Sequence, residues 1–237
     1  MNERTLNFAR YVFPLVTAVE KPYGLEEISF VGSCFLLNKN GLIATCAHIV
    51  EKVSKDRRLF LSDISAGKCF RLENIKLHSF ADFAVGFVNQ SFDDFLKPYT
   101  GSCLGKLGHD VMNFGYTYAA IKGTNVAFDT RISKGYISRM NNERDTTLRC
   151  YGICELSFPS FPGCSGSPIV SPLNAEVLGM LYFNLESSIE TFSFSEYNEK
   201  GELEREKVCR IVEFGLMHTI DDIKTFLKDM SMQDTFV

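Results

Sequence analysis

The sequence predicts an all-β protein built as two barrels. Short apolar runs recur along the whole chain, and Gly, Pro or Asn turn signals break them about every ten residues. A single amphipathic helix pattern follows them, close to the end. At 237 residues the chain is long enough for one large β domain or two small ones, and its 45% hydrophobic content is enough for a core. Trp is absent, and 21 Phe can fill its place.

Taken in order, a mixed apolar segment leads into a first strand over 13–19, and Pro22 and Gly24 mark a loop. Residues 28–37 and 42–50 flank Asn38-Lys39-Asn40-Gly41, the strongest hairpin signal in the chain. This places His48 at the end of the second hairpin strand, with a turn over 49–55. Strands are predicted at 58–62, 69–78 and 83–88, and Asp82 stands at the mouth of the last. A linker over 91–104, with Pro98 and Gly101, divides the chain into units 1–98 and 99–237. The second unit repeats the pattern at 110–118, 125–138, 147–158, 167–171 and 177–183. Residues 185–207 carry seven Glu and read as an exposed loop or extended hairpin. A closing strand over 208–217 and a helix over 221–228, with Asp221 and Asp222 in its first turn, complete the order.

Composition excludes several function classes. A net charge of −4 gives no field to draw nucleic acid, and no apolar segment is long enough for a membrane span. The first residues carry Glu3, and Arg10 and Pro14 break the apolar stretch behind it, unlike a secretory signal. The expectation is a cytoplasmic protein with neither nucleic acid nor membrane as partner. The eight cysteines lack the paired spacing of a zinc site, so neither metal nor other cofactor is expected. Reduced, half-buried thiols suit that compartment. Cys34 and Cys46 flank the first hairpin, and a cross-strand disulfide between them stays open.

Chemistry concentrates in Phe161-Pro162-Gly163-Cys164-Ser165-Gly166-Ser167-Pro168, a serine between glycines in a turn that a proline opens. Glycines there let the backbone bring N–H groups to a reacting carbonyl. The N–H groups of Gly163 and Ser165 would take the oxyanion, with Ser165 as nucleophile. A surface turn is the bland alternative for the motif taken alone. Serine attack also needs a base and an acid to orient it. Of four histidines, His48 alone follows a small-residue run, Thr45-Cys46-Ala47, at a strand end. His78, His109 and His218 read as structural. Asp82 completes the order His48, Asp82, Ser165.

These residues, with Gly32-Ser33-Cys34-Phe35, Ala81-Asp82-Phe83-Ala84-Val85 and Val177-Leu178-Gly179-Met180, make the chain resemble the trypsin-like serine peptidases. The HtrA-type branch and its simple bacterial relatives are the most similar. Arg131-Ile132-Ser133-Lys134-Gly135-Tyr136-Ile137-Ser138 also resembles the family's strand leading into the second barrel, so the likeness runs from about residue 12 to 229. It implies two antiparallel six-stranded barrels with a C-terminal helix and a site in the cleft between them. Cys164 stands where the family has Asp or Asn, which implies no maturation cleavage. Ser167 replaces the commoner third glycine, as in glutamyl endopeptidases, but Leu181 stands where those carry a substrate-reading His. Pro159 stands where trypsin carries the Asp that binds basic side chains. The PDZ domain of typical HtrA proteins is not expected. The implied specificity pocket comprises Pro159, Leu181, Tyr182 and Phe183, with an apolar residue before the scissile bond.

Cys164 as nucleophile would destroy the Gly-x-nucleophile-Gly spacing, so Ser165 is preferred. The leading expectation is a serine endopeptidase acting on protein or peptide substrates. Alternatives are a catalytically silent trypsin-fold binding or scaffold module, and a peptidase that waits for an activating protein partner. Residues 185–207 are then expected either to gate the pocket or to be solvated decoration. Oligomeric state stays open.

Overall fold

The computed structural model describes residues 8–101, 106–122, 125–141, 143–198, 200 and 202–230. Among these, strands β1 (Val12–Lys21), β2 (Gly24–Leu36), β3 (Leu42–Thr45), β4 (Arg58–Asp63), β5 (Lys68–Leu77) and β6 (Ala84–Val88) form the first closed barrel. Its order is β1-β2-β3-β6-β5-β4, and β4 closes it by pairing with β1. The second barrel comprises β7 (Asp110–Lys122), β8 (Asn125–Asn141), β9 (Ile153–Leu156), β10 (Pro168–Val170), β11 (Val177–Tyr197) and β12 (Leu203–Thr219). Its order is β10-β11-β12-β9-β8-β7, with β10 returning to β7. All strand pairs are antiparallel. The fold is all-β and trypsin-like, as the sequence predicts.

The first seven residues of β1 are buried without alternation, which a strand facing water on one side would not allow. One face fills its own barrel and the other meets the second. Tyr116 of β7 is buried there, and its hydroxyl donates to the Val12 carbonyl at 3.2 Å. Phe8, Phe114, Tyr116 and Phe128 form a chain of ring contacts with centroids 5.9–6.0 Å apart. Aromatic packing thus joins the barrels where Trp is missing.

Several elements depart from the sequence expectation. β3 ends at Thr45, and a one-turn helix α1 (Ala47–Glu51) carries His48. Ala47 and Ile49 are its buried residues, and Asp82 takes the His48 N–H in its first turn. The strand expected over 147–158 shrinks to β9, because Asp145 Oδ1 accepts from the Thr147 and Leu148 N–H groups and folds the chain into a turn. Residues 185–207 form the extended hairpin rather than a loop: β11 and β12 pair as far as Tyr197 with Leu203. Cys34 and Cys46 are free, buried thiols. Cys34 pairs across to Phe13 of β1, while the Cys46 sulfur points toward the Leu181 carbonyl at 3.5 Å.

Helix α2 (Ile220–Asp229) begins with a capping box in which Thr219 and Asp222 satisfy each other's N–H groups. Its Phe226 packs on His78 and Phe83 of the first barrel. Among the described residues no helix is long and apolar enough to cross a membrane.

Candidate active site

Asp82 and His48 meet through two contacts on one carboxylate. Oδ1 accepts the His48 backbone N–H at 2.8 Å, and Oδ2 accepts the ring Nδ1 at 2.6 Å. An ionised carboxylate can only accept, so Nδ1 carries the proton and the Nε2 lone pair is left bare. Because α1 starts at Ala47, its early N–H groups lack helical partners, and Asp82 takes one of them. Burial works against the Asp82 charge. The ring bond, the charge the His48 ring carries when protonated and its backbone N–H outweigh this, and the net effect lowers the Asp82 pKa.

Ser165 lies in a loop pinned to the opposite barrel. Phe161-Pro162-Gly163-Cys164 is a turn closed by the Cys164 N–H on the Phe161 carbonyl at 2.9 Å. Gly163 has φ +90°, the value a type II turn requires after proline, and an added Cβ would meet the Phe30 ring and the Tyr116 carbonyl at 2.6 Å. Gly166 has φ +86°, and a Cβ there would strike the Ser33 carbonyl at 2.1 Å. Ser33 in β2 grips this loop. Its N–H donates to the Ser165 carbonyl at 2.9 Å, and its hydroxyl donates to the Gly163 carbonyl at 2.8 Å while accepting from the Tyr116 N–H. Among the described residues neither the Gly163 nor the Ser165 N–H takes a backbone acceptor. The Ser165 hydroxyl rests on the Tyr182 carbonyl at 3.5 Å. Cys164 points the other way. It is buried, its sulfur lies near Gly115 inside the second barrel, and burial pushes its thiol up to about 11.

His218 lies behind this site. Its ring stacks on Tyr182 with centroids 3.9 Å apart, and its Nε2 is buried without a partner. Burial lowers its pKa to about 4, although the Asp82 charge acts to raise it. The unfolded chain accepts a proton near pH 6.5 and the folded chain resists it. His218 therefore costs nothing above that pH, and stability falls as pH drops from about 6.5 toward 4, by on the order of 3 kcal/mol. His218→Phe should flatten that part of the profile in urea titrations between pH 4 and 7. An unchanged slope would assign the acid sensitivity elsewhere.

His48, Asp82 and Ser165 line one cleft of about 620 Å³. Of the expected pocket residues, Tyr182 and Phe183 line it, whereas Pro159 and Leu181 do not. Leu181 is buried in the barrel, and its carbonyl takes the Gly166 N–H. Asn184 occupies the wall: Oδ1 accepts the Ser160 N–H and Nδ2 donates to Glu213, both at 3.0 Å. Glu186 and Glu213 contribute exposed carboxylates, and Lys52 and Arg149 contribute cations. Sequence reasoning missed Arg149. It makes a paired contact with Glu51 of α1 at 2.9 and 3.0 Å, and its carbonyl accepts the Asp82 N–H at 3.0 Å. The Asp145 turn signal that places it was legible in Asp145-Thr146-Thr147.

The structure matches the crystal structure of Rv3671c from M. tuberculosis H37Rv, a serine-to-alanine mutant in an inactive form. The TM-score is 0.60 at 14% identity, over 97% of this chain and 91% of that one. At that identity the likeness shows the fold. A search of curated proteins finds no match. Residues 32–180, which run from the Ser33 anchor through His48, Asp82 and Ser165 to the strand beside them, match the family model of the trypsin-like peptidase domain. The chain belongs to the trypsin-like peptidase family.

Proposed function

We propose that the chain is a serine endopeptidase in which Ser165 is the nucleophile, His48 the general base and Asp82 its orienting acid. The observation that carries this reading is the pair of hydrogen bonds that one Asp82 carboxylate accepts from the His48 ring and backbone, in the cleft that holds Ser165. Bare Nε2 takes the Ser165 proton as Oγ bonds to the substrate carbonyl carbon. The carbonyl electrons move to oxygen, where hydrogen bonds donated by the Gly163 and Ser165 N–H groups stabilise the charge. Nε2 then returns the proton to the leaving amine as the C–N bond breaks. Water, deprotonated by the same nitrogen, then bonds to the acyl carbon, and Nε2 returns that proton to Oγ as the C–Oγ bond breaks and the acid leaves. Asp82 stays ionised throughout, in keeping with its lowered pKa.

One observation favours a second reading. The Ser165 hydroxyl rests on Tyr182 rather than on His48, as expected of a catalytically silent trypsin-fold scaffold or of a peptidase awaiting a protein partner. Labelling with a fluorophosphonate, with and without cell extract, separates the three. Labelling of the pure protein supports the endopeptidase, labelling only with extract supports partner activation, and a folded chain that labels in neither is a scaffold.

The finer specificity reading is an apolar, uncharged residue (P1) before the scissile bond. Tyr182, Phe183 and Phe161 supply the apolar lining, and the carboxylates of Glu186 and Glu213 disfavour acidic side chains. Burying an unpaired carboxylate there costs several kcal/mol, on the order of 10²-fold or more in discrimination. Glu186 and Glu213 are exposed and Glu213 already accepts from Asn184, so a basic side chain finds no buried partner either. Cleavage profiling on a proteome-derived peptide library should show apolar residues dominating that position. A dominant acidic or basic residue rejects the reading.

A further inference from the structure

Behind Asp82, on the side away from the cleft, the turn that joins β5 to β6 is held by a histidine. His78 Nδ1 accepts two backbone N–H groups, from Phe80 at 3.0 Å and from Ala81 at 2.9 Å. The next N–H, of Asp82 itself, goes to the Arg149 carbonyl, and the His78 N–H donates to the Phe83 carbonyl at 2.8 Å. Each N–H from Phe80 to Asp82 therefore ends on an acceptor, two of them on one imidazole nitrogen. This fixes the tautomer. Nδ1 is bare, and Nε2 carries the proton toward the Tyr151 hydroxyl at 3.5 Å. Tyr151 and Phe226 hold the ring in place, with centroids 5.4 and 4.9 Å away.

We propose that His78 is a positioning residue: its bare Nδ1 shapes the turn that aims Asp82 at His48. Its effect on turnover rests on the triad reading above; its effect on the Asp82–His48 bond does not. Adding a proton to Nδ1 replaces the acceptor with a donor that faces two N–H groups, and the turn loses both bonds. Burial holds the His78 pKa down, the α2 carboxylates Asp222 and Asp229 act to raise it, and Arg144 acts to lower it. The other titratable groups beside it are Tyr151 and His218. The device is thus intact near neutral pH and fails on acidification below the ordinary histidine value.

Two substitutions separate the acceptor from the ring. His78→Asn keeps an acceptor that reaches its own N–H groups two and three residues on, and loses the packing. His78→Phe keeps the packing and loses the acceptor, with His78→Ala as its replacement should it not fold. The expected result is kcat within threefold of the parent for His78→Asn. His78→Phe should lose at least tenfold in kcat with KM within twofold, and its activity should no longer carry the His78 step in the pH profile. The low-field proton resonance of His48 Nδ1–H reads the Asp82 bond even if no substrate is turned over. It should persist in His78→Asn and shift upfield in the variant lacking the acceptor. An unshifted resonance in that variant, or equal losses in His78→Asn and His78→Phe, would overturn the proposal. A parent protein that hydrolyses nothing but passes the resonance test would fail only the peptidase reading.

Discussion

Ser165→Ala is expected to abolish peptide hydrolysis while leaving thermal unfolding unchanged. Removing a triad nucleophile lowers kcat on the order of 10⁶-fold, because the positioned base then has nothing to deprotonate. The neighbouring thiol should not rescue it. Cys164 is buried, protonated at any working pH and directed into the second barrel beside Gly115. Cys164→Ala should therefore keep most activity, and fluorophosphonate should label it but not Ser165→Ala. If Cys164→Ala were inactive and Ser165→Ala active, the nucleophile would be the thiol.

Asp82→Asn carries the second largest expected loss, on the order of 10⁴-fold in kcat. The carboxylate makes two acceptor contacts, one to the His48 backbone and one to its ring. An amide has one oxygen, so either α1 loses the bond at its first turn or the ring faces an N–H group. In the second case Nδ1 must become the acceptor and the proton moves to Nε2, where it blocks transfer from Ser165. Loss should ease at high pH, where hydroxide or a deprotonated serine bypasses the base, and KM should change little. A loss under tenfold would show that Asp82 does not set the tautomer.

His48, Asp82 and Ser165 were legible because each lies in a short stretch whose residue types state its local conformation. The glycines around Ser165 declare positive φ, and Asp82 opens an apolar strand. The helix that carries His48 was not legible. Its five residues are too few for a period, and its N-terminal bond comes from a residue 34 positions away. Arg149 was missed for the same reason, since its partners Glu51 and Asp82 lie on the other barrel. His78 was missed because its bonds to the Phe80 and Ala81 N–H groups depend on a ring orientation that residue types do not state. The β11–β12 hairpin beyond the barrel exposes Ile189, Phe192, Tyr197, Val208 and Ile211. A ribbon wet on both faces has no inside to impose alternation, so its strands read from sequence as a loop or a hairpin alike.

The grip of Ser33 on the nucleophile loop spans 130 residues of chain, from its hydroxyl to the Gly163 carbonyl. During synthesis the first barrel is complete in sequence, and free to fold, well before that loop is made. On the endopeptidase reading, an unfinished chain owns a base and its acid but no nucleophile. A chain whose first barrel has melted owns a nucleophile whose loop has lost its anchor and whose base has scattered. Cutting power would therefore require both barrels to be closed and would be lost when either opens. On that reading, partly made and partly melted copies would be no danger to neighbouring proteins.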